Sequence, residues 1–303
     1  MEPILSLDQL ARHVKKTGVR RRIAVAKAED ENTIGAISQA VRDGIAEAIM
    51  VGNVHHIETV ISKAGESPDN FRLVDVAGDV EAASTAVRMV RNGDADILMK
   101  GLIGTDLFLK AVMDKTEGLL LPKAVMTYVC AIEIPQYRKL LFVTDTAVLP
   151  FPDLDQKIQM VKYAVDMARR FGIETPKVAL LSAVEKISLH FPSHTDYAVI
   201  VQMAARGQIK NCIVDGPLDV FLACDPQSVD IKGVDTPIAG DADVLIFPSI
   251  EASNTFYKGL MLFAGGELGG LIQGTTNPVI VMSRSESAKS KYYCIACGCL
   301  LAD

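Results

Sequence analysis

The sequence predicts an α/β protein built on mostly parallel sheet with helices on both faces. Three observations predict it. Short β-branched runs alternate with longer amphipathic ones along nearly the whole chain, which is the punctuation of repeated βαβ units. The 303 residues suffice for two domains of roughly 150 residues each. Hydrophobic residues make up 49% and charged residues 22%, an ordinary globular balance that excludes a disordered chain.

The elements follow in order. Residues 22–27 (RIAVAK) read as a strand and 33–42 as a helix. Residues 46–51 form a strand, 55–63 a helix, 71–76 a strand and 79–92 a helix. A strand over 96–99 and a helix over 105–114 complete this series. The apolar run 124–132 (AVMTYVCAI) is interrupted by Pro135, and 140–144 (LLFVT) resumes it. Proline restricts the residue before it and breaks regular structure, so the chain is expected to cross between domains here. The long helix over 153–171 carries Ile158, Val161, Val165 and Ala168 at helical spacing, and Gly172 suits its C-terminal end. Strands at 178–181, 212–215, 244–247 and 279–282 then alternate with helices at 195–206, 255–263 and 287–300.

The 31 basic and 37 acidic residues leave a net charge of −6. That disfavours a nucleic-acid binder, which wants a basic surface, yet allows a small anion held by a local cation and backbone N–H groups. No apolar run reaches the roughly 20 residues that span a bilayer. The first residues carry several cations but no apolar run like that of a signal peptide. A soluble, cytoplasmic protein is therefore expected. Cys294, Cys297 and Cys299 form a C-x-x-C-x-C cluster. Lacking a second cluster or a nearby His, they read as buried residues of the last helix more readily than as zinc ligands, so no metal site is expected.

In open parallel sheets, ligands bind beyond the carboxyl ends of the strands. Lys100 ends a strand and is followed by Gly101, Gly104 and a helix that Thr105 is placed to cap. Such a turn brings backbone N–H groups to an anion. At the end of the PVIVM strand, Ser283-Arg284-Ser285-Glu286-Ser287 enters the last helix. A guanidinium, hydroxyls and a helix N-terminus together suit a phosphate. Thr144-Asp145 ends another strand, and Ser182, Glu185 and Asp215 stand at further strand ends. No G-x-S-x-G elbow and no G-x-G-x-x-G follows a strand, which disfavours a serine hydrolase and a Rossmann dinucleotide site. The five histidines show no metal spacing.

Several of these segments resemble the phosphate acetyl/butyryltransferases. They are Lys100-Gly101 with Thr105, Leu141 to Asp145, Pro176 to Glu185, Met203 to Ile209, Asp215 to Leu218, Gly240 to Leu245, Tyr257-Lys258, and Pro278 to Arg284. They occur in consistent order from about residue 95 to 300, and their combination is more specific than any one of them. The overall pattern is more similar to the butyryl branch than to the acetyl branch. The resemblance implies two three-layer α/β domains with a cleft between them, as in isocitrate and isopropylmalate dehydrogenases. Residues 1–138 plus 278–303 would form one domain and 139–277 the other. It implies a homodimer that transfers a short acyl group between coenzyme A and inorganic phosphate. Coenzyme A is then a substrate, and no cofactor is needed. Ser283 and Arg284 match the pair that engages the acyl phosphate and the thiol.

The chain also departs from the family pattern. Leu120 stands where many relatives carry a phosphate-binding Arg, and Thr127-Tyr128 replaces a Ser-His pair. Ser290 stands where the acetyl branch places a catalytic Asp. Glu286 is the nearest carboxylate along the chain and is the expected general base. Thr127, Thr144, Asp145, Ser182, Glu185 and Asp215 join Lys100, Gly101 and Thr105 as expected substrate-binding residues. Butyryl, acetyl and non-catalytic sensing versions remain open, as does a β-decarboxylating dehydrogenase of similar architecture.

Overall fold

A computed structural model describes residues 2–283 and 286–302. The chain opens with α1 (Leu7–Thr17), whose Leu7, Leu10 and Val14 share one buried stripe. It continues with β1 (Arg21–Ala26), α2 (Glu31–Arg42), β2 (Ala46–Gly52), α3 (Val54–Lys63), β3 (Arg72–Asp75), α4 (Asp79–Arg91), β4 (Ile97–Lys100) and α5 (Thr105–Val112). The middle of the chain forms β5 (Thr127–Glu133), β6 (Leu141–Thr144), α6 (Leu154–Arg170), β7 (Lys177–Leu181), α7 (Pro192–Ala205) and β8 (Ile213–Leu218). The short helices α8 (Val220–Cys224) and α9 (Pro226–Lys232) precede β9 (Val244–Ile246) and α10 (Ile250–Ala264). The last elements are β10 (Glu267–Gln273), β11 (Val279–Ile280) and α11 (Ala288–Leu301). Among the described residues, no helix is long and apolar enough to cross a membrane.

The chain divides into two compact units. One holds residues 7–126 and 267–303, the other 1–6 and 127–266. The crossings expected from the sequence, at 138/139 and 277/278, lie later in the chain than these two.

In the unit of residues 7–126 and 267–303 the strand order is β3-β2-β1-β4-β11-β10. Its pairs are parallel from β3 to β11, and β10 runs antiparallel to β11 with Ile272 opposite Val279. Every residue of β4 is buried, and so are the last four of β1. Strands covered on both faces need such continuous apolar runs. Burying one Val, Leu or Ile side chain stabilises the fold by about 1.5–3 kcal/mol. The Asp30 side chain caps α2 by accepting from Thr33 N at 2.9 Å, which satisfies one orphan helix donor.

In the unit of residues 127–266 the order is β5-β6-β9-β7-β8, with β5 antiparallel to β6 and the other pairs parallel. Asp153 and Gln156 close a capping box at the start of α6. Gly172 follows the end of α6 with φ +93°, as the left-handed turn after a helix requires. Elements not expected from the sequence are α1, α8, α9 and β10.

Candidate active site

The candidate residues fall in both units. In the unit of residues 7–126 and 267–303, Lys100 ends β4 and is only 5% exposed. Its ammonium donates to the carbonyl of Gly101 at 3.4 Å. Gly101 allows a close approach, but of one strand end to another. A Cβ there would lie 2.3 Å from the carbonyl oxygen of Lys27 and 2.9 Å from that of Ala26. Gly101 N donates to Ala26 O at 2.9 Å, and Leu102 N to Lys27 O at 2.7 Å. Thr105 does not cap α5. Gly104 occupies the cap position with no side-chain hydrogen bond, and Thr105 is the first helical residue, one position too far along to take β geometry.

Ser283 follows β11 and is exposed. Glu286 folds back on this turn: its carboxylate accepts from Ser283 N at 3.3 Å, and its own N–H donates to Ser283 O at 3.3 Å. Arg284 and Ser285 lie outside the described residues. Ser287 is the N-cap of α11 and accepts from Ser290 N at 2.9 Å. Both Ser287 and Ser290 also donate to the carboxylate of Glu267, at the start of β10. This carboxylate was not singled out from the sequence, because nothing local ties residue 267 to residue 290. The weak signal was an acidic residue at the head of an apolar run leading back to the PVIVM strand.

In the unit of residues 127–266, Thr127, Thr144 and Asp145 come together. Thr127 and Thr144 share a hydrogen bond of 3.2 Å, and the Thr127 hydroxyl donates to Asp145 at 2.7 Å. The Asp145 carboxylate also accepts from Ala147 N at 2.8 Å, Val148 N at 2.9 Å and Leu149 N at 3.1 Å. Burial pushes this carboxyl above its ordinary value, and the hydrogen bonds oppose that shift. Asp145 therefore organises the turn after β6.

Ser182, Glu185 and Asp215 make separate contacts. Thr236 donates to Asp215 at 2.5 Å, and Glu185 pairs with Lys232 at 3.7 Å. Ser182 lies 2.6 Å from Nε2 of His194, a fully buried histidine whose place in the sequence gave only the absence of a metal spacing. Ser182 also lines a cavity of about 580 Å³ in this unit, beside Phe151, Phe191 and Phe247.

Cys294, Cys297 and Cys299 are buried in α11. Cys294 receives the Gly270 N–H and contacts Met282 Sδ, while Cys299 donates to Ile45 O. Burial pushes the Cys299 thiol up to about 12, which suits an inert core residue. Among the described residues, no group of three or more His, Cys, Asp or Glu is arranged to hold a metal ion.

The described residues form an α/β fold with polar side chains at several strand ends. The model of the phosphate acetyl/butaryl transferase family matches residues 79–299, and the chain belongs to that family. A phosphate butyryltransferase of Clostridium acetobutylicum is 39% identical over 99% of this chain and 99% of its own length. A phosphate acetyltransferase of Thermotoga maritima is 36% identical over 94% of this chain and 96% of its own length. Among solved structures, a branched-chain phosphotransacylase from Enterococcus faecalis is similar with a TM-score of 0.81 and 28% identity, covering 93% of this chain and 100% of that one.

Proposed function

We propose that this chain transfers a short acyl group between coenzyme A and inorganic phosphate, with butyryl-CoA and phosphate giving butyryl phosphate and coenzyme A. The observation that carries this reading is the near full-length similarity to a phosphate butyryltransferase. The similarity to a phosphate acetyltransferase keeps an acetyl preference as the alternative.

The chemistry needs no redox step. A thiol is a weak nucleophile until it loses its proton, and a nearby carboxylate assists that loss. Arg284 would hold the phosphoryl group through its planar fork and neutralise charge on the departing phosphate. Ser283, exposed at the end of β11, would donate to the oxygen that gains negative charge. Lys100 and the turn after it would add positive potential at the neighbouring strand end. Coenzyme A acts as a substrate in this reading, and no cofactor takes part. A two-domain architecture like that of isocitrate and isopropylmalate dehydrogenases, a homodimer and a cytoplasmic location belong to the same reading.

The test is an assay with butyryl-CoA and phosphate that follows thiol release, repeated with acetyl-, propionyl- and valeryl-CoA. Turnover highest with butyryl-CoA is expected. No thiol release with any of them would overturn the reading. Arg284→Ala should nearly abolish turnover while leaving the melting temperature near wild type. Arg284→Lys should rescue poorly, because an ammonium lacks the bidentate fork.

A further inference from the structure

Two carboxylates stand at the start of α11, and they are held differently. Glu286 is engaged by the backbone of its own turn, through Ser283 N. Glu267 comes from another element. Because β10 runs antiparallel to β11, with Ile272 opposite Val279, its first residue is carried back to the carboxyl end of β11. That is the strand end from which Ser283 follows.

The hydrogen bonds around Glu267 fix its orientation. The Ser287 hydroxyl oxygen accepts from Ser290 N at 2.9 Å, so its proton is available to Oε2 of Glu267 at 2.7 Å. The Ser290 hydroxyl oxygen accepts from Leu268 N at 3.0 Å, so its proton also goes to Oε2. Both donors therefore converge on one carboxylate oxygen. Among the described residues, Oε1 receives no donor. The result is a half-exposed carboxylate with one oxygen locked and the other open, beside the turn that carries Ser283 and Glu286.

We propose that Glu267 is the group that takes the thiol proton when coenzyme A attacks the acyl phosphate. This rests on the acyl-transfer reading above. The S–H bond breaks and its proton passes to Oε1. The sulfur electron pair forms the S–C bond to the acyl carbon. The bond from that carbon to the bridging phosphate oxygen breaks, and its electron pair leaves with phosphate. In the reverse direction, phosphate attacks the thioester and the protonated carboxyl returns its proton to the departing sulfur. Glu286 closes the turn and carries no proton.

The experiment compares wild type, Glu267→Gln and Glu286→Gln with butyryl phosphate and coenzyme A across pH. Glu267→Gln should lower kcat by roughly 10²–10⁴-fold near neutral pH, the range for loss of a general base. The defect should narrow as pH rises and more of the thiol is already ionised. Glu286→Gln should keep near wild-type kcat with a lower melting temperature. Wild-type kcat and pH profile in Glu267→Gln, or the pH-dependent loss appearing in Glu286→Gln instead, would overturn the proposal.

Ser290→Ala provides a second variant should Glu267→Gln not fold. It leaves the carboxylate in place but removes one of the two donors that fix Oε2, so kcat should fall several-fold while KM for coenzyme A stays unchanged. An unchanged kcat would also overturn the proposal. A wild-type chain without acyl transfer would instead remove the functional reading on which the proposal rests.

Discussion

At the scale of single residues, His194 shows how a hydrogen-bond pattern decides a role. Its Nδ1 accepts from Ser188 N at 3.1 Å, so the neutral ring must carry its proton on Nε2. That proton is donated to Ser182, and the pair is not a base activating a serine. The hydroxyl proton of Ser182 is directed elsewhere. Burial pulls the imidazole below its ordinary 6.5. The unfolded chain therefore binds a proton that the folded one resists. This contribution to stability is present above pH 6.5 and is lost as pH falls through that value toward the lower folded one. The wild-type melting temperature should drop between pH 8 and pH 5.5 more steeply than that of His194→Gln. Parallel slopes in a thermal-shift series would exclude this source of the pH dependence.

Asp145 makes the contrasting case. It was legible as a polar strand end, but its partners are three backbone N–H groups of the next turn and one hydroxyl. Asn keeps one acceptor oxygen and turns an amide group toward those donors. Each unpaired buried donor costs about 1–3 kcal/mol. Asp145→Asn should thus lower the urea midpoint clearly, whatever it does to turnover. An unchanged midpoint would mean that the turn does not depend on the carboxylate.

At the scale of elements, the strands and helices of the βαβ alternation were legible because period and punctuation are local. The stripe of Leu7, Leu10 and Val14 in α1 was also there to be read. β10 was not, because its ELGGLIQ sequence has two glycines, which lower strand propensity. The fold uses one of them: a Cβ on Gly269 would come within 3.0 Å of the Tyr293 carbonyl oxygen on α11. Gly101 is more tightly confined, by the backbone at the end of β1. Its appearance beside Lys100 reads as room for a ligand, yet the room is used by the protein itself. Gly101→Ala should therefore cost about 1–3 kcal/mol or more, as overpacking does. Chemical denaturation would measure the loss, and a variant as stable as wild type would show that the strand end yields.

At the scale of the whole molecule, the described residues hold no cluster suited to a metal ion. The cysteine triad instead packs into the core around α11. Incubation with a chelator should leave acyl transfer unchanged, measured by thiol release before and after EDTA. Loss of activity restored by one divalent ion would reverse that expectation.

The sequence by itself determined the α/β class, the family and the strand ends at which polar residues gather. These follow from local periodicity and from motifs that lie in order along the chain. Only the tertiary structure decided which carboxylate meets which serine. Glu267 reaches Ser290 across an antiparallel strand pair, 23 positions away in sequence. No local pattern records such a meeting, because pairing register and helix packing set it. The same holds for His194, whose tautomer depends on partners on two sides of its ring. A chemical role in this protein is written in residue types, but its geometry is written in contacts between elements.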